Sequence, residues 1–437
     1  VYYEKELSFV NSRSYGPGRY DASYEENGND YPIGHVRWTE GRNFEAVVGL
    51  MASGRLQVRP LITHRFPIEE AAEAYEVITG KKKQAFLGVI LTYPEDVSRD
   101  PVSRVPVSRG TGTRGPVALG VLGAGLFANA TLLPAIQKAG GIDLVGIAST
   151  GGLHAQHAAK KFGFRYATSS DEQILNDPEI NTVAILTRHD MHADLAVKAL
   201  QAGKHVFVEK PLALNNEQLE QISQALTANS QLLLVGFNRR FAPLTQELHA
   251  SLVSRHEPLY LHYRINAGYI PATHWVHDPA VGGGRIIGEG CHFVDFLAFL
   301  AGAAPVAVTA RALPDGGRYR EDNVSMTFAF PDGSVGVVDY LANGDKAFGK
   351  ERLEIFCGGT VAVLDDFRTL EIVRNGRRST RKLPGQDKGH AAEMQAWAEA
   401  IRNGRPPIPY EQLFGVTRAT FAAVESLRAD GRQIEVK

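Results

Sequence analysis

Four short clusters carry the glycines and polar side chains that reactive sites use, and the first is glycine-rich. Gly123, Gly125 and Ala128 form a Gly-x-Gly-x-x-Ala pattern around Leu126–Phe127, directly after the apolar run Val117–Leu122. Glycines in such a turn let the backbone approach a pyrophosphate, and the small third residue lets a helix pack closely on the strand. The N–H groups at the start of that helix then face the phosphates. Rather than a bare structural turn, the pattern predicts a dinucleotide-binding loop.

The end of the second strand leaves the choice between NAD and NADP open. A carboxylate there would hold the ribose hydroxyls of NAD, and an arginine would favour the phosphate of NADP. This strand ends at Ala148 and continues into Ser149 and Thr150, while Asp143 precedes the strand. Ser149 and Thr150 suit either cofactor.

Two further clusters follow apolar strands at the ends where ligands bind in parallel sheets. One is the run Thr187-Arg188-His189-Asp190-Met191-His192, and the other is Glu209-Lys210-Pro211. Side chains at neighbouring strand ends meet at one edge of the sheet. A lysine in such a place can also be an ordinary solvated charge.

The fourth cluster runs from Gly282 to Asp295. A helix that starts near Gly290 places His292 and Asp295 on one face, because they are three residues apart. A carboxylate beside an imidazole orients it and raises its basicity, as a general base requires. The alternatives are a helix start capped by Glu289 with a buried His292, or half of a Glu-x-x-His metal motif. No second copy of that motif is present, so we predict no metal.

Alternating strands and helices position the first three clusters. The pattern predicts an α/β fold with a Rossmann-type, doubly wound parallel sheet. After about residue 240 the alternation stops, and strands dominate until two closing helices, which predicts an α+β domain with a mostly antiparallel sheet. The predicted strands are Val117–Leu122, Leu144–Ala148, Thr182–Leu186, His205–Val208, Leu232–Phe237, Leu259–Ile265, Val306–Ala312, Val324–Phe330, Val335–Tyr340 and Leu353–Phe356, and the closing helices are His390–Arg402 and Tyr410–Ala429.

The chain divides into four predicted segments. Residues 1–97 form a small α/β segment with helices at 43–53 and 68–78 and a strand at 84–91. Residues 98–116 lack periodicity and repeat Pro-Val-Ser-Arg, which predicts a linker. Residues 117–240 form the dinucleotide-binding domain, and residues 241–437 form the substrate-binding and oligomerisation domain.

Composition narrows the classes of partner. Lys+Arg is 47 and Asp+Glu is 48, for a net charge of −1, which argues against nucleic acid or an anionic membrane as partner. Two cysteines exclude a disulfide framework and suit a reducing, cytoplasmic setting. The chain starts with Val1 rather than Met, so we expect an upstream part of the same polypeptide.

Together the four clusters resemble the Gfo/Idh/MocA oxidoreductase family over residues 117–437. Residues 1–97 resemble the C-terminal part of the catalytic lobe of a medium-chain zinc-type alcohol dehydrogenase. The combination is similar to bi-domain bacterial oxidoreductases. The resemblance implies hydride transfer between NAD or NADP and a secondary alcohol carbon of a sugar, polyol or nucleotide sugar, in carbohydrate or surface-polysaccharide metabolism. It also implies a homo-oligomer, either a dimer or a tetramer.

By that resemblance, Lys210 binds the reacting oxygen, His292 transfers the proton and Asp295 orients His292. Two alternatives remain: a redox-neutral epimerase or glycoside-cleaving enzyme that recycles its cofactor, and a non-catalytic nucleotide-sensing protein. Besides the glycine loop, Ser149 and Thr150, the nicotinamide side of the cleft is assigned to Thr187, His192, Glu209 and Lys210. The substrate contacts are assigned to Asn238, Arg239, Tyr269, His274, Trp275, Glu289 and His292, where Arg239 suits a phosphate or carboxylate.

Overall fold

A computed structural model describes residues 4–6, 15–25, 28–93, 104–107 and 117–437. The chain divides into two compact units, residues 1–101 and residues 102–437. Across the described residues, no helix has both the length and the apolar character to cross a membrane.

The first unit contains a two-stranded parallel sheet connected by a helix. The predicted helix at 43–53 overlaps α2. The predicted helix at 68–78 covers a 3-10 turn and α3, and the predicted strand at 84–91 overlaps β2. The elements are α1 (Ala22–Glu25), α2 (Glu40–Ala52), β1 (Ile62–Pro67), α3 (Ala71–Ile78) and β2 (Gly88–Thr92).

The second unit begins with a seven-stranded sheet in the order β3-β6-β5-β4-β7-β8-β9. All its pairings are parallel except that of the edge strand β3. The central strands are apolar on both faces because helices cover both sides of the sheet. This confirms the doubly wound fold. The elements are β3 (Arg104–Pro106), β4 (Val117–Leu122), α4 (Leu133–Ala139), β5 (Ile142–Ala148), α5 (Gly152–Phe162), β6 (Tyr166–Thr168), α6 (Asp171–Leu175), β7 (Thr182–Ile185), α7 (His192–Gln201), β8 (His205–Val208), α8 (Asn216–Ala228) and β9 (Leu233–Val235).

The predicted linker needs a correction at three residues. Of residues 98–116, the structure describes 104–107, and Arg104–Pro106 pairs with β6 as an antiparallel edge strand. A three-residue strand is too short to show periodicity. The remaining residues of that interval, like most of the front run 1–14, lie outside the described residues.

The rest of the second unit is built on a nine-stranded sheet in the order β17-β16-β15-β14-β10-β13-β12-β11-β18. Only β10 and β13 pair in parallel, so the prediction of a mostly antiparallel sheet is confirmed. The elements are α9 (Pro243–Leu252), β10 (Tyr260–Asn266), α10 (Cys291–Ala301), β11 (Ala307–Ala312), β12 (Asn323–Ala329), β13 (Val335–Leu341), β14 (Glu351–Cys357), β15 (Thr360–Asp365), β16 (Thr369–Arg374), β17 (Arg377–Lys382), α11 (His390–Asn403), α12 (Tyr410–Arg428) and β18 (Ile434–Glu435).

Helix α10 lies in the core behind the fourth cluster. All but one of its residues are buried, which explains why it is apolar on every side. A π-helical turn, Ile286–Gly290, leads directly into it. His292 and Asp295 are therefore held in the first turn of a rigid, buried helix.

Candidate active site

The glycine loop has the geometry of a phosphate cradle. Gly123 follows β4 with φ +106°, and a Cβ atom there would lie 2.5 Å from the carbonyl oxygen of Leu186. Only glycine fits that conformation and that contact. At Gly125 a Cβ atom would meet nothing within 4 Å, so the space beside the loop is open. These observations fit a bound dinucleotide.

The residues after the glycines present an apolar surface. Leu126 is 86% exposed and Phe127 is 40% exposed, whereas Ala128 is buried where the helix packs on the sheet. The side chain of Asn129 donates to the carbonyl oxygens of Ala124 and Gly125 and holds the turn closed. Exposed apolar side chains at this point suit the face of a cofactor.

The end of β5 matches the expectation from the sequence. Ser149 is half-buried and Thr150 is exposed at the carboxyl end of the strand, which is the end that holds the glycine loop. Asp143 lies at the opposite end and forms an ion pair with Arg165. It cannot bind the ribose of a cofactor held by the loop.

A cavity of about 340 Å³ opens at the carboxyl ends of β7 and β8; we call it the strand-end cavity. It brings together residues of the second, third and fourth clusters with residues near the start of α11. Its lining residues are Phe127, Leu186, Thr187, His189, His192, Glu209, Lys210, Asn238, Arg239, Trp275, Glu289, His292, Lys388 and His390.

Lys210 and His292 both line this cavity. The Lys210 ammonium donates to the carbonyl oxygen of Gly288 over 3.1 Å, which directs it toward the fourth cluster. His292 is 7% exposed, and its Nδ1 atom has no hydrogen-bond partner among the described residues. Burial lowers the pKa of His292 well below its usual value, and the charges of Arg239 and Lys210 lower it further. The imidazole is therefore neutral, with Nδ1 unpartnered in the described part of the chain, and it is a weaker base than an exposed histidine.

Asp295 has a different partner from the predicted one. Its carboxylate oxygens both accept from Arg240 Nε at 2.8 Å, and the side chain is fully buried. His292 and Asp295 are three residues apart on α10, but the carboxylate of Asp295 pairs with Arg240. Because a buried charge requires an opposite charge, the Asp295–Arg240 pair forms instead of a His292–Asp295 pair.

Arg239 is also engaged, although it lines the cavity as predicted. Its Nε and Nη2 atoms donate to the two oxygens of Glu351 at 2.8 and 2.9 Å. The Lys388 ammonium donates to the same carboxylate over 2.6 Å. The guanidinium fork expected for a ligand is thus occupied by a carboxylate of the chain.

Glu289 anchors a second charged network. Its carboxylate accepts from Lys350 over 2.9 Å, from Arg285 over 3.3 Å and from the hydroxyl of Tyr340. Although burial opposes ionisation, the charges of Lys350 and Lys210 lower the pKa of Glu289 to about 2. Glu289 is therefore a fixed negative charge in the wall of the cavity.

The histidines after β7 have separate positions. Both ring nitrogens of His192 face carbonyl oxygens, of Pro211 at 2.8 Å and of Thr187 at 3.2 Å, so it fastens one strand end to the next. His189, which was not among the predicted site residues, bonds the carbonyl oxygen of Gly282 at 2.8 Å and packs edge-on against Trp275. Burial lowers the pKa of His189 to about 4, so its ring is neutral.

The predicted substrate contacts are only partly brought together. Asn238 and Trp275 line the cavity, and the Asn238 side chain donates to the carbonyl oxygen of Lys388 over 2.7 Å. Tyr269 instead packs against Tyr319 and Arg318. His274 is exposed and caps the short 3-10 turn Trp275–His277. Neither of these two residues lines the cavity.

Sequence reasoning missed Lys388 and His390 as members of the site. Both precede or begin α11, far along the chain from the strand ends. Gly389 between them has φ +90°, and a Cβ atom there would lie 2.5 Å from the backbone of Asn238 and Ala242. That glycine is the local signal of close packing that could have located them.

Comparisons with known proteins agree with this geometry. Residues 117–237 match the model of an oxidoreductase family with an NAD-binding Rossmann fold, GFO_IDH_MocA. Residues 257–360 match the GFO/IDH/MocA C-terminal domain.

Relatives and solved structures span almost the whole of the second unit. The chain is 27% identical over 307 residues to scyllo-inositol 2-dehydrogenase (NAD(+)) of Bacillus subtilis, covering 67% of this chain and 88% of that protein. It is 27% identical over 350 residues to inositol 2-dehydrogenase of Rhizobium meliloti, covering 73% and 99%. The structure of a levoglucosan dehydrogenase complex with NADH and levoglucosan superposes with a TM-score of 0.64 at 23% identity, covering 73% of this chain and 99% of that chain. The last comparison supports the fold.

Proposed function

The rear part of this chain carries the N- and C-terminal domains of the Gfo/Idh/MocA oxidoreductase family, and on that premise we propose that it oxidises a secondary alcohol of a sugar or polyol, or reduces the corresponding ketone. The observation that carries the proposal is the meeting of Lys210 and His292 in one cavity beside the glycine loop. The relatives named above are dehydrogenases of inositols, which supports a polyhydroxylated substrate.

The chemistry that a nicotinamide dinucleotide supplies when bound is acceptance or donation of a hydride. The open space at Gly125 and the strained turn at Gly123 fit its pyrophosphate. Thr187, His192 and Glu209 form the wall between the loop and the reacting groups. Ser149 and Thr150 suit the adenosine ribose with or without a 2′-phosphate, so both NAD and NADP remain candidates.

Lys210 binds the reacting oxygen in this proposal. Its ammonium group stabilises the negative charge that develops on that oxygen when the O–H proton leaves. Glu289 faces the same part of the cavity as a fixed carboxylate and accepts hydrogen bonds from neighbouring hydroxyls of the substrate. Two such contacts orient one alcohol carbon toward the cofactor side of the cavity.

His292 accepts the hydroxyl proton. In the oxidation, the C–H bond breaks with its electron pair leaving as hydride, the O–H proton passes to the imidazole, and the carbonyl double bond forms. A neutral ring is needed for this step, and burial keeps His292 neutral. In the reduction the same ring returns the proton.

Two variants test these roles. We expect Lys210→Met and His292→Asn each to lower kcat/KM by about 10²–10⁴-fold while NADH still binds, because each removes a group that acts in the transition state. Turnover is followed as NADH formation at 340 nm with a panel of sugars and polyols, and Lys198→Met, an exposed lysine on α7, is the control. Wild-type turnover in both active-site variants would refute the assigned roles.

For the first unit, we propose an origin in an alcohol-dehydrogenase-like lobe. What supports this is the parallel pair β1 and β2 joined by α3, which is a βαβ unit. We further propose that the chain forms a homo-oligomer through its nine-stranded sheet, where Tyr260 and Phe356 are opposite one another and each is 46% exposed.

A further inference from the structure

One buried carboxylate, Glu351, is shared by two cations that line the strand-end cavity, Arg239 and Lys388. Oε1 of Glu351 accepts from Lys388 Nζ at 2.6 Å and from Arg239 Nη2 at 2.9 Å. Oε2 accepts from Arg239 Nε at 2.8 Å and from the hydroxyl of Tyr263. All four acceptor sites of the carboxylate are therefore used, and one negative charge faces two positive ones.

The other cations near the cavity do not remove this excess. Glu289 is likewise shared between Lys350 and Arg285, and Arg285 has a second carboxylate, Asp322, at 3.4 Å. The contact found for the Lys210 ammonium is with a carbonyl oxygen, which carries no net charge. Even with Glu209 of the same cavity ionised, the cations in and directly behind the wall outnumber the carboxylates by one, so the wall is positively charged.

The positive charge of these side chains lowers the pKa values of two histidines in the cavity. Burial lowers the pKa of His390 to about 4, and Arg239 and Lys388 lower it further. The pKa of His292 is lowered by burial, then by Arg239 and Lys210. The positive potential thus extends across the cavity from Lys388 to His292.

Lys388 is placed where this excess positive charge can bind an anion in the cavity. It lines the cavity, and its backbone carbonyl is held by the Asn238 side chain at 2.7 Å. An ammonium group has three donors, and among the described residues one of them has an assigned partner, Glu351. The Lys388 side chain is 18% exposed where it lines the cavity, so its remaining donors are accessible to an anionic group of a ligand.

We propose that the substrate of this cavity is an anionic sugar, bearing a carboxylate or a phosphate, and that Lys388 binds the anionic group, while Arg239, held by Glu351, adds positive charge beside it. This rests on the proposed function and narrows its substrate class. It distinguishes this chain from a dehydrogenase for neutral polyols.

The test compares matched sugars. Glucose, galactose and mannose are each supplied as the neutral hexose, the hexuronate, the uncharged methyl ester of the hexuronate and the 1-phosphate. We expect at least one anionic series to exceed its neutral counterparts in kcat/KM by about tenfold or more, the worth of one buried charge-assisted contact. The hexuronate and phosphate arms identify which anion is bound.

Variants at position 388 show whether Lys388 is responsible for the preference for anionic sugars. Lys388→Met, which keeps the apolar stem, is expected to abolish the preference for the anion, and Lys388→Arg is expected to retain it. Lys382→Met on β17, an exposed lysine, is the control. Equal or better turnover of the neutral sugars, or an unchanged preference in Lys388→Met, would overturn the proposal.

A binding measurement separates this proposal from the proposed function. The NADH fluorescence of the loaded protein is titrated with glucuronate and with its methyl ester, and tighter binding of glucuronate that Lys388→Met loses supports the anion site even if no sugar is oxidised. Absence of turnover with every sugar contradicts the proposed function. Equal binding of acid and ester, or no saturable binding of the anionic sugars, contradicts the anion site.

Discussion

Glu209 is a carboxyl group whose charge changes near neutral pH. Its side chain is 9% exposed at the end of β8 and lines the strand-end cavity. Burial raises the pKa of Glu209 to about 7, although the charge of Lys210 opposes the rise. In the proposed cofactor site, an ionised carboxylate at this place would attract the positively charged nicotinamide of NAD⁺ and leave the neutral ring of NADH unaffected.

We therefore expect the affinity for NAD⁺ to increase from pH 6 to pH 8 by up to about tenfold, the equivalent of one pKa unit of interaction. The affinity for NADH should stay nearly constant, and Glu209→Gln should remove the difference. Dissociation constants from quenching of tryptophan fluorescence at both pH values measure the effect. A pH dependence that is the same for both nucleotides, or that persists in Glu209→Gln, would show that another group is responsible.

At the residue scale, the sequence was a better guide to which side chains line the cavity than to which groups they bond. Lys210, Glu209, His292 and Glu289 line one cavity, and the sequence could bring them together because strand ends and a glycine-rich helix start are local signals. The partner of Asp295 was not predictable, since Arg240 comes from a different segment of the chain. Ion pairs between distant segments leave no pattern in the spacing of either one.

At the scale of elements, the short edge strand β3 depends on one side chain. Arg104 forms an ion pair with Asp177, which is 4% exposed. The Cζ atom of Arg104 lies 3.7 Å from the ring centroid of Tyr166. Tyr166 also donates to Asp177 over 2.8 Å. Arg104 thus supplies the ion pair of a buried carboxylate, while the charge of Lys204 lies nearby on the Asp177 carbonyl oxygen.

We expect Arg104→Ala to lower the free energy of unfolding by about 1–3 kcal/mol, because it removes a charged partner of a buried carboxylate. Urea denaturation followed by circular dichroism measures this. Arg402→Ala, at an exposed position on α11, serves as control and should change little. Equal stability of Arg104→Ala and the wild type would mean that the Arg104–Asp177 ion pair does not stabilise the fold.

Helix α11 carries a buried carboxyl group, Glu393, in its first turn. The side chain is fully buried, and both oxygens are without a hydrogen-bond partner in the part of the chain that the structure describes. Burial raises the pKa of Glu393 well above its usual value, and the neighbouring carboxylates of Glu209 and Asp295 raise it further. The folded state therefore binds a proton more tightly than the unfolded state.

The sign of the effect on stability follows from this linkage. A raised folded-state pKa contributes stability at low pH that is lost as the pH rises toward that pKa. Glu393→Gln keeps the shape without the ionisation, so its melting temperature relative to wild type should increase between pH 5 and pH 8. Each kcal/mol corresponds to about 1–2 °C for a unit of this size. Glu399→Gln, exposed on the same helix, is the control; a pH-independent difference would contradict the assignment.

The elements that were predicted and those that were missed differ in their periodicity. The parallel strands of the seven-stranded sheet except β6, and the amphipathic helices α11 and α12, were predicted within a few residues of their bounds. Strands β1, β6 and β18 were missed, and so were β15, β16 and β17. The last of these is exposed at every position, so it has no alternation of apolar and polar residues. Its pairing with β16, and not its own sequence pattern, makes it a strand.

At the scale of the whole molecule, the described groups of the candidate site belong to one unit. The glycine loop, the strand-end cavity and both sheets that position them lie within residues 102–437. That unit has a continuous buried core that runs from Leu119 to Ala423. Among the described residues, all of the side chains that line the cavity belong to this second unit.

We therefore expect a chain shortened to residues 102–437 to unfold cooperatively and to bind NADH with a dissociation constant within about twofold of the full chain, because a domain with its own core folds as a unit. Titration of NADH fluorescence with both chains measures the affinity, and thermal denaturation measures the folding. A second shortened chain that begins at Val117 also lacks β3 and should bind NADH but melt at a lower temperature. Loss of NADH binding in the chain that begins at Val102 would assign residues 1–101 a part in forming the nucleotide site, which the arrangement of the second unit does not require.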